Sequence, residues 1–209
     1  MPIEKFYNGH IRLEFRHCSA KDKNDKKLLG FAFLHLMDMD ETTVKDGAHT
    51  LCMYKCEDSV RFENSAIYLA LPSKLNEVTS LEQVTLSQGF VRSAKENVTI
   101  STKLVSTKLT QNVDLMKLLN WKSNANIGET LSKIMSLSGE EIVKFLQDIL
   151  DALFAMFSTE DGNSTPYSGL VFHVLVSIIS SLEDPKFEQF KPVLDAYISH
   201  HFAAALVYK

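Results

Sequence analysis

The feature that most constrains this chain is a change of hydrophobic period near residue 112. Ahead of it, apolar and polar residues alternate: Ile11, Leu13 and Phe15 fall on one side of an extended chain, and Arg12, Glu14 and Arg16 on the other. That period of two is the signature of a half-buried strand. From Asn112 onward apolar residues recur every three or four positions, at Leu115, Leu118 and Leu119 and then at Ile127, Leu131 and Ile134, which is helical spacing. With 209 residues, 45% of them hydrophobic, the chain can bury a sizeable core in one domain or two.

In the β half, a polar stretch from Ser19 to Lys27 separates the first strand from the apolar run Leu28 to Met37. Gly30 and the aromatic residues of that run suit a second strand, paired with the first as a long-looped hairpin. Asp46-Gly47 marks a turn, after which Leu51–Cys56 and Ile67–Leu71 are expected as two short strands, the latter stopped by Pro72. Ser73 to Glu96 is weakly patterned and expected as a long loop, followed by a strand near Val98 to Val105. Strands at this spacing imply a sandwich.

In the α half, Ser138 and Glu141 have capping-box spacing, and Ile142, Phe145, Leu146, Ile149 and Leu153 trace one stripe. A single helix is expected there. A Gly/Asn/Ser/Pro cluster at 162–166 breaks it, a second apolar helix is expected from Ser168 to Leu182, and Asp184-Pro185 precedes a third from Pro192 onward. Leu170 to Leu182 is too short, and too interrupted by His173 and serines, to span about 30 Å of hydrocarbon. Apolar faces too wide for a two-helix unit suggest the beginning of an α-solenoid or a small bundle. No stop signal closes the last helix and few strands are visible, so both ends read as cuts through a larger protein.

Several function classes are disfavoured. A formal charge of -4 argues against a general nucleic-acid binder. Cys18, Cys52 and Cys56 form an odd set without a CxxC pair, and the N-terminus lacks a secretory signal, so a reducing, cytosolic setting fits. Cys52 and Cys56, four apart on a strand, share a face but lie beyond a disulfide's reach and suit core packing. His49 alone adds little toward a zinc site. Asp38, Asp40, Glu41 and Asp46 lack the order of an EF-hand loop and read as an acidic turn. No nucleophile with a base, glycine-rich phosphate loop or acid pair stands at recognisable spacing. No catalytic residue, metal or cofactor is expected. The chain's one strong local charge is basic: Lys21, Lys23, Lys26 and Lys27, with Arg16 and His17 at the base of the loop, opposed by Asp22 and Asp25. Such a loop is either a solvated connection or a rim of cations for an anionic surface.

Several blocks resemble the DOCK family of guanine nucleotide exchange factors. They are Phe15-Arg-His-Cys-Ser19, Lys26-Lys-Leu-Leu-Gly-Phe-Ala-Phe33, Asp46-Gly-Ala-His49 and Ser106-Thr-Lys-Leu-Thr-Gln-Asn112, followed in the helical half by Gly139-Glu-Glu-Ile-Val-Lys-Phe-Leu-Gln-Asp148, Phe190-Lys-Pro-Val193 and His201-Phe-Ala-Ala-Ala-Leu-Val-Tyr-Lys209. The resemblance implies a partial antiparallel C2-type β-sandwich over residues 1–111 that recognises phosphoinositides, and the start of an armadillo-like helical scaffold over 112–209. It implies calcium-independent lipid contact through Arg16, His17, Lys21, Lys23, Lys26 and Lys27. It further implies peripheral recruitment from the cytoplasm to the plasma membrane and a Rho-family GTPase of the Rac or Cdc42 type served by a region outside this chain. Adaptor proteins are a further partner class. The alternative is a helical protein-interaction scaffold with no lipid binding.

Overall fold

A computed structural model describes residues 6–18, 26–56, 64–78, 85–86, 89–157 and 162–200. The chain divides into two compact units, Met1–Val105 and Ser106–Lys209, where the sequence places the division between residues 111 and 112.

In the first unit β1 (His10–Cys18), β2 (Lys26–His35), β3 (Gly47–Cys56), β4 (Thr85–Leu86) and β5 (Phe90–Thr102) form one antiparallel sheet in the order β1-β2-β3-β5-β4. The hairpin expected from the first two apolar runs is present, with Leu13 opposite Ala32. Gly47 starts β3 at φ 119°, a conformation costly for any residue with a Cβ. Gly30 is required for another reason: a Cβ there would lie 2.7 Å from the Tyr54 carbonyl oxygen of β3. One face of the sheet carries the aromatic cluster Phe31, Phe33, Tyr54 and Phe90 with Cys52, and the other carries Ala32, Leu34 and Leu51 flanked by Leu13, Phe15 and Ile100.

Two expectations for this unit are corrected. Residues 67–71 are not a strand, because Ala66–Leu69 form a short helix, α1, whose first N–H is taken by the Asn64 side chain at 2.9 Å. An apolar run of five residues has no periodicity to separate helix from strand. The helix inserts Tyr68 among the aromatics, its ring 5.3 Å from those of Phe31 and Phe33. The long loop expected over 73–96 is also wrong. It holds a 3-10 turn at Leu75–Glu77 and β4, and β5 begins at Phe90 and ends at Thr102. Ser73 ties the turn to the sheet, its hydroxyl donating to the Phe33 carbonyl and its own carbonyl accepting from Cys52 N–H. Ala94 to Asn97 are all exposed, so no alternation marks them as a strand; Asn97 pairs with Cys52 beside a shift in register, and within the stretch the Ser93 hydroxyl accepts from Glu96 N–H.

The second unit contains α2 (Val113–Leu119), α3 (Ile127–Ile134), α4 (Gly139–Lys144), α5 (Leu146–Ala155), α6 (Ser168–Leu182) and α7 (Lys191–His200). Asn112 caps α2 by accepting from Leu115 N–H at 2.8 Å. The core is the set read from the periodicity, with Leu115, Leu118, Leu131, Ile134, Leu146, Ile149 and Leu153 buried beside Val171, Val174 and Ile178, and Trp121 packed partly against them. The single helix expected through Leu153 is interrupted at Phe145 (φ −115°, ψ 22°). Phe145 still donates to Glu141 and accepts from Ile149, so the stripe keeps its phase across the break and the sequence does not reveal it. Half of the capping box forms. Ser138 Oγ accepts from Glu141 N–H, whereas the Glu141 carboxylate takes the Thr110 hydroxyl instead of reaching back. The third helix starts at Lys191, after a 3-10 turn over Pro185–Phe190 capped by Asp184.

Candidate phosphoinositide-binding rim

The basic stretch connects β1 to β2, and strand register decides how its flanking residues are displayed. His17 pairs with Lys27 and Arg16 with Leu28, and the register shifts between Phe15 and Arg16. Opposed residues of an antiparallel pair share a face and neighbours along a strand alternate. His17 and Lys27, both exposed, therefore stand together on one face, and Arg16 stands on the other. Cys18 pairs with Lys26 at the end of the hairpin. Lys21 and Lys23 lie outside the described residues. Of the six residues expected to act together, the structure brings His17 and Lys27 side by side and sets Arg16 apart from them.

Arg16 is also committed. Its Nε and Nη2 donate to Glu14 Oε2 at 3.1 and 2.7 Å, while Arg12 Nη2 meets Glu14 Oε1 at 2.8 Å. One carboxylate thus bridges two guanidiniums along the same face of β1. The hydrogen bond from Arg16, with the charge of Arg12 and Arg16, holds the Glu14 carboxyl below its ordinary range despite some desolvation. Further along, Arg12 Nη1 donates to the Tyr68 hydroxyl at 3.3 Å, and that oxygen lies 2.6 Å from His10 Nε2. Either the imidazole nitrogen or the tyrosine hydroxyl can donate in that contact, according to the tautomer of His10. Burial, then the charges of His35 and Arg12, lower the His10 pKa. Sequence reading missed this row of His10, Arg12 and Glu14. Its signal was the period-two spacing of charged residues on one strand face.

The acidic residues between β2 and β3 are each engaged locally. Asp38 meets Lys74 Nζ at 3.1 Å, Asp40 accepts from the backbone and hydroxyl of Thr42, and Asp46 accepts from Leu104 N–H at 2.6 Å. The Thr42 hydroxyl holds the Asp40 carboxyl low in pKa. Among the described residues no group of three or more His, Cys, Asp or Glu side chains is placed to hold a metal ion. His49 instead fastens the start of β3, its Nε2 lying 2.7 Å from the Lys45 carbonyl and 2.9 Å from Thr102 Oγ1. Cys52 is buried and Cys56 half-buried beside the aromatic cluster, both as free thiols, and desolvation raises the Cys52 pKa.

The class the fold defines is an antiparallel β unit followed by a helical unit. The family model for the C2 domain in Dock180 and Zizimin proteins matches residues 1–114, and that for the Dedicator of cytokinesis (DOCK) TPR region matches residues 123–209. The chain belongs to the DOCK family. It is 51% identical over its whole length to Dedicator of cytokinesis protein 3 of Homo sapiens and 46% to Dedicator of cytokinesis protein 4 of Mus musculus, and it spans about 10% of the length of each. The helical part matches a TPR region, where the family resemblance implies an armadillo-like arrangement. Both are arrays of stacked antiparallel helices.

Proposed function

We propose that this chain is the membrane-contacting and scaffold segment of a DOCK-type guanine nucleotide exchange factor for Rho-family GTPases of the Rac or Cdc42 type. In this reading residues 1–111 supply a C2-type lipid-binding domain and residues 112–209 the start of the scaffold. Exchange itself belongs to another region of the longer protein, and this chain has no catalytic residue of its own. The observation that carries the reading is the concentration of cations at one hairpin end: His17 and Lys27 paired across the strands, Lys26 at the strand start, and Lys21 and Lys23 in the intervening sequence. Each basic residue held at an anionic membrane contributes on the order of 1 kcal/mol. Contact with phosphoinositides would draw the protein from the cytoplasm to the plasma membrane, where its GTPase and adaptor partners would meet it.

One observation favours the rival reading, a helical interaction scaffold without lipid binding: Glu14 neutralises Arg16, so the rim holds fewer available cations than the sequence suggests. Co-sedimentation with vesicles containing phosphatidylinositol trisphosphate separates the two. Binding by the parent chain, lost in a Lys21/Lys23/Lys26/Lys27→Ala variant that keeps its circular dichroism, supports the first. A folded parent that does not sediment with the vesicles supports the second.

A further inference from the structure

The α6 helix is apolar on two sides. Val171, Val174, Leu175, Ile178 and Leu182 are buried in the helical core. Opposite them Phe172, Val176 and Ile179 remain 60, 45 and 42% exposed. With exposed Gly169 they fall at spacings of three, four and three residues, the a/d pattern of a seam for a second helix. Apart from His173 the helix has no titratable side chain, and besides its core face it carries this second apolar ridge, flanked by His173, Ser177 and Ser180.

The exposed part of these three side chains amounts to roughly 300 Å². A stable complex between separate molecules needs about 800 Å² from each partner, so this ridge alone does not hold a second molecule. It is sufficient for a helix tethered in the same polypeptide, where the effective concentration is high. Relatives have about ten times the length of this chain in which to supply one.

We infer that the Gly169–Phe172–Val176–Ile179 ridge is the seat of a further helix of the same repeat array, contributed in cis by the longer protein. That helix is amphipathic, with apolar residues at matching three-four spacing. It sets a bulky side chain over Gly169, where an added Cβ meets nothing within 4 Å. The seam needs no ion pairs, since no Lys, Arg, Asp or Glu lies within α6.

The test compares this chain with a version extended by the segment that follows the matched region in the human relative. Ile179→Cys is labelled with a maleimide in each, on a background in which Cys18, Cys52 and Cys56 are replaced by serine or alanine. Labelling is expected to slow at least tenfold in the extended chain. Phe172→Asp is expected to leave the melting temperature of the short chain within about 2 °C, because the site is solvated there, and to lower that of the extended chain by several degrees. Equal labelling in both chains, with Phe172→Asp neutral in both, would overturn the inference. So would a short chain that is dimeric by light scattering and becomes monomeric with Phe172→Asp, which would make the occupant a second copy. If the extended chain fails to fold, the cysteine is read in the full-length relative carrying this chain in place of its matched region.

Discussion

Removing the charge of Glu14 should strengthen membrane contact if the basic hairpin faces a lipid surface. Arg12, Glu14 and Arg16 together carry one net positive charge, with both guanidiniums drawn onto one carboxylate. Glu14→Gln raises that sum to two and removes the ion pair with Arg16, with a side chain of nearly the same volume. At on the order of 1 kcal/mol per basic residue near an anionic bilayer, the affinity for phosphoinositide vesicles should rise about fivefold at 0.1 M salt. The gain should fade toward 1 M salt, as the screening length shrinks from about 10 Å to about 3 Å. The cost to the fold should be small. Glu14 and Arg16 side chains are 24 and 44% exposed, and pairs of that kind are worth about 0.2–1 kcal/mol each. Titration by vesicle co-sedimentation at two salt concentrations, with a melt of each protein, gives both numbers. An affinity unchanged in a variant that melts normally would mean that this side of β1 does not approach the membrane, and the rim would reduce to His17, Lys26, Lys27 and the residues between.

Other consequences are local to each unit. Gly139→Ala places the best helix former at the first position of α4, yet the new Cβ would sit 2.2 Å from Phe187 Cζ, a buried ring. Displacing that ring should outweigh the helical gain of about 1 kcal/mol and destabilise by roughly 1–3 kcal/mol, read as a lower urea midpoint; a raised midpoint would show that the ring moves freely. Acidification should weaken the β unit in two stages. The His10 pKa is lower folded than unfolded, so the unfolded chain takes up its proton first and stability falls as pH drops below about 6.5. The Glu14 pKa is likewise depressed, so its contribution is held above the ordinary glutamate value, near 4.3, and lost below it. Melting temperatures from pH 7.5 down to about 2.5 should show both steps, and His10→Gln should flatten the first; a flat profile between pH 7 and 5 in the parent would refute the account of His10.

The parts of the fold legible in the sequence are those where burial acts on one face of a regular element. Leu13 and Phe15 announced β1 by packing partly against the sheet, although Ile11 stays exposed, and Leu115 to Ile134 announced α2 and α3 because there the core takes every third and fourth residue. Legibility failed where that asymmetry is missing. The middle of β5 is exposed on both faces, so Ala94 to Asn97 carry no pattern although they belong to the strand. Tyr68 lies in an element of four residues, too short for any period to show. The break at Phe145 left no trace because the residue on the break stays in the core and in the hydrogen-bond ladder.

The candidate site was legible as a charge count and not as a surface. Five cations and His17 close together in sequence suggest one rim, but the β1–β2 pairing assigns faces by register. Arg16 follows Phe15 at the point where that register shifts, and it alternates with His17, so no twist of the hairpin sets the two on one face. The sequence places Arg12, Glu14 and Arg16 on one face of the strand, and the structure adds that the Glu14 carboxylate is engaged by both guanidiniums at once, at 2.8 and 2.7 Å. A carboxylate at that spacing on a strand determines how much of a neighbouring basic cluster is available to a ligand, and it is visible only once the strand has been assigned. If the hairpin meets a lipid surface, as proposed, its affinity is set by the balance between Glu14 and its two arginines as well as by the number of lysines in the loop.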